Sequence, residues 1–115
     1  MRRMSFSATV EQMRAGTKTV TRRAVSTWQS LQPGDQVLAI EKGMGLAKGE
    51  HQVPIGVIEI ESNRVEPLSF CSEADAQREG FTSLTEFLVA WRRLHGSADD
   101  GMVRRISFSH SEPNP

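Results

Sequence analysis

Apolar and polar positions alternate in short runs through most of this chain, and one late stretch keeps a helical rhythm over three turns. Positions 4–7 (Met-Ser-Phe-Ser) alternate, the period of a half-buried strand. Thr9 and Gln12 stand at capping-box spacing ahead of a two-turn helix through Ala15, with Val10 and Met13 facing inward and Gly16 as its stop. A turn at 31–35 (Leu-Gln-Pro-Gly-Asp), in which Pro33 and Gly34 accept the required backbone angles, delivers a strand over 36–41. Positions 53–64 predict a longer strand. Its Ile55 and Val57 give way to Ile58 and Ile60 around Gly56, a pattern that marks a bulge or a close backbone approach. Leu68 and Phe70 close that section. Ser72 caps a helix running to Glu79, ended by Gly80. Ser83 and Glu86 again have capping-box spacing. The stripe Phe87, Leu88, Trp91, Leu94 that follows has the period of a helix, and Gly96 stops it. Trp91 on such a stripe reads as core. Positions 103–110 form the last strand.

Between these elements the chain is polar. Positions 24–30 form a loop with Trp28 as its one large apolar group, 42–51 carry three glycines and read as a mobile loop, and 97–101 form a turn. Strand, helix, strands, two helices and a final strand make an α+β domain: a small curved or barrel-like sheet with helices against it. The 115 residues suit one domain over 1–110 with a disordered tail over 111–115, large enough for a single core. Positions 2–7 (Arg-Arg-Met-Ser-Phe-Ser) and 104–109 (Arg-Arg-Ile-Ser-Phe-Ser) echo each other, which suggests that both ends fill equivalent places, side by side in one sheet.

Charge narrows the choice of partners. Fourteen Lys and Arg balance fourteen Asp and Glu, so a basic-domain route to nucleic acid is excluded and any such binding is local. Eleven of the cations are arginines, which favours planar, bidentate contacts. The arginine pairs at 2–3, 22–23 and 104–105 would share an edge if the terminal strands were neighbours. Cys71 is the single cysteine, which excludes an intramolecular disulfide; it reads as a half-buried thiol near a helix start. His51, His95 and His110 lack ligand spacing, so neither metal nor cofactor is expected. No apolar run reaches membrane length, and the expected setting is the cytoplasm. The 42–51 loop lacks Walker spacing and is no P-loop.

One stretch concentrates chemistry. Positions 16–23 (Gly-Thr-Lys-Thr-Val-Thr-Arg-Arg) hold a lysine, three threonines and two arginines. Such a stretch can grip phosphate, build a small nucleophilic site or form a wet edge strand. A threonine hydroxyl is inert without a base in reach, and lysine serves as one when burial lowers its pKa. A flat strand would put Lys18 and Thr21 on opposite faces, so a shared site requires a turn after Gly16.

Gly16-x-Lys18-x-x-Thr21-x-Arg23 resembles the G-x-K-x-x-T-x-R signature of the ASCH domains, relatives of the PUA fold. The likeness extends through the 31–35 turn, Glu79-Gly80-Phe81 and Glu86-Phe87, and with the 41–46 loop the layout is most similar to small ASCH proteins of bacteriophages and prophages. It implies a PUA-like barrel with flanking helices and a modified nucleoside or RNA as partner. One branch hydrolyses N4-acetylcytidine with a lysine, a threonine and a glutamate; by motif these are Lys18, Thr21 and Glu79. Amide hydrolysis at a modified pyrimidine is the leading expectation, and a non-catalytic RNA- or base-binding module or a ribonuclease is the alternative. Arg23 is expected either to anchor a phosphate or base edge or to brace Glu79. Arg22, Trp28, Lys42 and Arg105 complete the expected binding set, with Trp28 as a stacking platform.

Overall fold

The computed structural model describes residues 1–43, 45–96 and 101–111. The elements are β1 (Arg3–Ser5), α1 (Val10–Ala15), β2 (Val20–Arg23), β3 (Gln36–Ile40), β4 (Pro54–Pro67), a 3-10 turn (Leu68–Phe70), α2 (Glu73–Arg78), α3 (Leu84–His95) and β5 (Met102–His110). The strands make one five-stranded sheet in the order β1-β3-β4-β5-β2. β1 runs parallel to β3, and every other pair is antiparallel. This is the expected α+β architecture. The sheet curves without closing: β1 and β2 are its two edges, yet the Arg23 guanidinium on β2 donates to the Ser5 carbonyl on β1 at 2.8 Å.

The alternation in the sequence becomes two layers of apolar packing. Met4, Phe6, Val37, Ala39, Ile58, Ile60, Ile106 and Phe108 form one cluster together with Met13 of α1. A second cluster of Leu68, Cys71, Ala76, Phe87, Trp91 and Val103 sits under α2 and α3. Burial is therefore divided between two clusters rather than gathered in one. β5 serves both, because Ile106 and Phe108 point one way while Val103 and Arg105 point the other.

Local signals specify several ends as expected. Gly16 caps α1 in the left-handed conformation with φ 75°. The Ser72 and Ser83 hydroxyls accept from the backbone N–H groups of Asp75 and Glu86 at the starts of α2 and α3. The irregularity at Gly56 also appears: the register slips between Ala39 and Ile40, so Ala39 faces Gly56 and Ile40 faces Pro54. No backbone approaches Gly56 closely, since an added Cβ would meet nothing within 4 Å.

Three expectations change. The Thr9 side chain makes no capping hydrogen bond; the Gln12 amide instead donates to the Gly80 carbonyl at 3.0 Å, a tertiary bond between α1 and the end of α2. Leu94 is 75 % exposed, and α3 packs through Phe87 and Trp91 instead. The echoing terminal strands are not neighbours: β1 pairs with β3, and β5 lies between β4 and β2. Their shared pattern reports similar half-burial, which any two strands of one sheet can have. The 42–51 segment carries no helix or strand, although Met44 lies outside the described residues, as do 97–100 of the expected turn and 112–115 of the expected tail.

The α1–α2 junction makes a direct stability prediction. Gly80 has φ +98°, and a Cβ there would lie 3.1 Å from Cβ and Cγ of Gln12. Gly80→Ala should lose at least about 1 kcal/mol in urea unfolding, whereas Gly56→Ala, in open space, should be neutral or stabilising by about 0.5 kcal/mol.

Candidate active site

The reactive stretch owes its shape to the end of α1. After Gly16 the chain stays curled, with the Thr17 and Lys18 amides both donating to the Gln12 carbonyl, and the Thr19 amide donates to the Arg78 carbonyl at the end of α2. Regular strand begins only at Val20. The turn that a shared site requires is present, and the same hydrogen bonds bring residues 17–19 against α2.

Lys18, Thr21 and Glu79 border one cleft of about 420 Å³, and each is buried, at 3 %, 3 % and 2 % exposure. The Lys18 ammonium donates to the Glu79 carbonyl oxygen at 2.5 Å and to its carboxylate Oε1 at 3.1 Å. The Lys18 carbonyl meets the His110 ring at 2.7 Å. Thr21 Oγ1 accepts from Arg23 Nε at 3.0 Å, which leaves the hydroxyl's own proton free to be donated. Thr21 and Arg22 point to opposite faces of β2, but β2 is an edge of the sheet and the cleft opens along that edge. Phe81, Phe87 and Trp91 supply an aromatic wall on the helix side, and Trp28 borders the other rim.

Arg23 does not pair with Glu79. Besides Thr21 and the Ser5 carbonyl, its guanidinium lies 4.9 Å from the Phe6 ring centroid, where it ties the two sheet edges together. Burial lowers its pKa to about 10, against the attraction of Glu79, so it keeps its charge at neutral pH. The brace is Arg22, whose side chain has no exposed surface. Arg22 Nη1 donates to Glu79 Oε2 at 3.1 Å, and Nη2 donates to Glu66 Oε2 at 3.1 Å and to Asp75 Oδ2. Arg105 grips Asp75 bidentately at 2.9 Å on both oxygens. Charges therefore alternate along Lys18, Glu79, Arg22, Asp75 and Arg105.

The electrostatics follow from that order. Burial pushes the Lys18 ammonium below its usual pKa of 10.5, against the pull of Glu79, and the nearby Arg23 and Arg22 charges push the same way. Hydrogen bonds from Arg105, then Arg22, hold the Asp75 carboxyl well below the usual carboxylate range despite its burial. Burial opposes the Arg22 charge, but hydrogen bonding to Asp75 and attraction to Glu79 outweigh it, so its pKa rises.

The rest of the expected binding set disperses. Lys42 forms an exposed pair with Glu50 at 3.8 Å, away from the cleft. Arg105 is spent on Asp75 behind the cleft. The pairs at 22–23 and 104–105 do lie side by side, Arg22 opposite Arg105 and Arg23 opposite Arg104, but all four are engaged by carboxylates, carbonyls or side-chain oxygens, and the 2–3 pair lies at the opposite edge of the sheet. Arg2 instead covers the Trp28 ring at 4.4 Å from its centroid, so one face of that platform is taken. Sequence reasoning missed Glu66 and Asp75: Asp75 reads as an ordinary acid in a first helical turn, and Glu66 becomes buried only after β4 shifts register between Ile60 and Ser62. Among the described residues, no group of three His, Cys, Asp or Glu is placed to hold a metal ion. No described helix is long and apolar enough to cross a membrane.

This arrangement of sheet, helices and edge cleft recurs in solved structures. An ASCH domain from Lactobacillus crispatus JV V101 matches 95 % of this chain and 79 % of its own, with TM-score 0.66 and 18 % identity. The chain has the fold of an ASCH domain. Protein EF3133 from Enterococcus faecalis V583 matches 89 % of the chain and 66 % of its own length, with TM-score 0.67 and 18 % identity. The hypothetical protein PH0355 matches 96 % of the chain over its whole length, with TM-score 0.63 and 17 % identity. No family model and no curated protein sequence matches the chain. The likeness is therefore one of architecture, and in this ASCH fold the cleft beside β2 is built from residues of the chain's own signature stretch.

The buried lysine makes the stability of this ASCH fold depend on pH with a definite sign. A lowered pKa means that between the folded value and 10.5 the unfolded chain binds a proton at Lys18 that the folded chain does not, so stability rises with pH. The window must be read below pH 9, because burial raises the Cys71 thiol from 9.0 to about 11 and a raised acid pKa costs stability above 9. Urea midpoints up to pH 9 should climb for the wild type and flatten for Lys18→Met.

Proposed function

We propose that this protein is an amidohydrolase acting on an N-acylated modified pyrimidine nucleoside, with N4-acetylcytidine as the first candidate substrate. The observation that carries this reading is the pairing of a buried lysine, its pKa lowered by that burial, with Glu79 in the same cleft as a threonine whose oxygen accepts from a guanidinium. The resemblance of the signature stretch to the ASCH amidohydrolase branch supplies the substrate class.

The chemistry needs a nucleophile, a base and stabilisation of the developing oxyanion. In this reading Thr21 Oγ1 attacks the acyl carbonyl carbon while the neutral Lys18 amine takes the hydroxyl proton. The Arg23 N–H on Oγ1 favours the alkoxide character that forms during attack. Collapse of the tetrahedral intermediate breaks the C–N bond, and Lys18 returns its proton to the departing exocyclic amine. Water, polarised by the Glu79 carboxylate, then releases the acyl group from Thr21 as a carboxylic acid. For the first step Lys18 has to exchange its bond to the Glu79 carbonyl for one to the hydroxyl, a tightening of the kind that substrate binding commonly brings. The aromatic wall of Phe81, Phe87 and Trp91 suits a flat base.

A non-catalytic module for RNA or a modified base is the second reading. It is favoured by one observation: the lysine's hydrogen bonds go to Glu79 and not to the threonine.

Incubation with N4-acetylcytidine, followed by chromatography for cytidine, distinguishes the two. Turnover is expected in the wild type, reduced by roughly 10²–10⁴-fold in Lys18→Ala, Thr21→Ala and Glu79→Gln with circular dichroism unchanged. Absence of turnover in the wild type, with short RNA bound more weakly at high salt, would favour the binding module.

A further inference from the structure

A cluster that the proposed chemistry leaves unused runs from the cleft lining at Arg22 back to Asp75, Glu66 and Arg105. Three features set Arg22 apart within it. Although Arg22 borders the cleft, its side chain has no exposed surface and is turned to carboxylates. Its two terminal nitrogens divide three carboxylates between them, Glu79 on Nη1 and Asp75 with Glu66 on Nη2. It also falls between the threonine and arginine of the 16–23 stretch, in a place that the G-x-K-x-x-T-x-R pattern leaves open.

The consequence lies in how the Glu79 carboxylate is shared. Oε1 faces Lys18 and Oε2 faces Arg22, both at 3.1 Å. Held from both sides, the carboxylate cannot rotate to chelate the ammonium, and half of its hydrogen-bonding capacity is already committed. We propose that Arg22 is a positioning residue that holds Glu79 by Oε2, with Asp75 and Glu66 fixing the guanidinium behind it, so that Lys18 meets Oε1 alone. This role rests on the reading of the cleft as an amide-hydrolysing site, where Lys18 must be able to lose its proton.

Other groups around Lys18 do not substitute for Arg22. From β2, Arg23 is committed to Thr21 and Ser5. From β5, His110 contacts the Lys18 carbonyl rather than its ammonium. On the β1 side the Phe6 ring lies 6.0 Å away, and on α3 His95 borders the cleft stacked on Trp91. Among the described residues, only Glu79 offers the ammonium an opposite charge within hydrogen-bond reach, so whatever holds Glu79 governs Lys18. Arg105 contributes through Asp75: by gripping both its oxygens it keeps that carboxylate turned toward Nη2.

The chain has three lysines, which makes the test direct. Protein labelled with 13C-lysine is titrated by NMR, and the Lys18 signal is assigned by its loss in Lys18→Ala. In the wild type Lys18 should titrate below the usual lysine value of 10.5. In Arg22→Gln its midpoint should move up by about one pH unit or more, as expected when a neighbouring cation is removed and a carboxylate is released. Arg22→Lys, which keeps the charge but not the fork, should fall between them. An unmoved Lys18 midpoint in folded Arg22→Gln overturns the proposal. If that variant does not fold, Arg22→Gln with Asp75→Asn, which removes one cation and one anion together, decides by the same criterion. The titration requires no turnover, so it is separable from the amidohydrolase reading. A shifted midpoint without N4-acetylcytidine hydrolysis leaves Arg22 as the residue positioning Glu79 and removes the activity. In an active enzyme, Arg22→Lys should displace the acid limb of the rate profile to higher pH with KM unchanged, which a merely structural role would not do.

Discussion

A guanidinium with no exposed surface can persist in a protein interior only if carboxylates meet its charge, and here three of them do. They come from β4, the first turn of α2 and the residue that ends α2, while Arg22 itself comes from β2. One side chain therefore fixes the separation of the sheet edge from the helix layer. Breaking such a buried pair by removing one partner costs about 3–5 kcal/mol, because the remaining charge is left uncompensated. Two apolar clusters lie on either side of this ionic joint, and neither alone would specify how the helices sit on the sheet.

The cleft inherits its character from that joint. Glu79 is the last residue of α2's helical turn and closes the helix by donating its N–H to the Asp75 carbonyl. Its side chain and its carbonyl both receive Lys18, while the neighbouring Arg78 carbonyl receives the Thr19 amide. The helix end thus serves as a template against which the irregular 17–19 segment folds. Curvature matters equally. The Arg23 link between β2 and Ser5 draws the two sheet edges toward each other and brings Thr21 to the rim, where a strand in a flat sheet would have left it facing the core.

Some of this was legible along the chain because it depends on neighbours in sequence. Gly16 as a left-handed cap, Ser72 and Ser83 as helix starts and the irregularity at Gly56 all follow from local backbone preferences. Lys18, Thr21 and Glu79 could be nominated together from the signature stretch and the helix end, and they do border one cleft. Misreadings arose where a side chain had a choice of partners. Gln12 prefers the Gly80 carbonyl to its own helix start, and Arg22 rather than Arg23 reaches Glu79. Leu94 continues the apolar stripe of α3 but lies exposed at the border of the cleft.

By itself the sequence determined the element types and order, the helix ends and the crowding of reactive groups into eight residues, since each depends on interactions spanning only a few positions. The tertiary structure alone decided which of two adjacent arginines is buried, which carboxylates surround it and why the terminal strands lie apart. Charge pairing in an interior is settled by which groups lose water together, and that depends on contacts across tens of residues, such as the 57 separating Arg22 from Glu79. Six arginines in three pairs look alike in the chain; their surroundings make Arg22 a structural joint and leave Arg2 resting on a tryptophan.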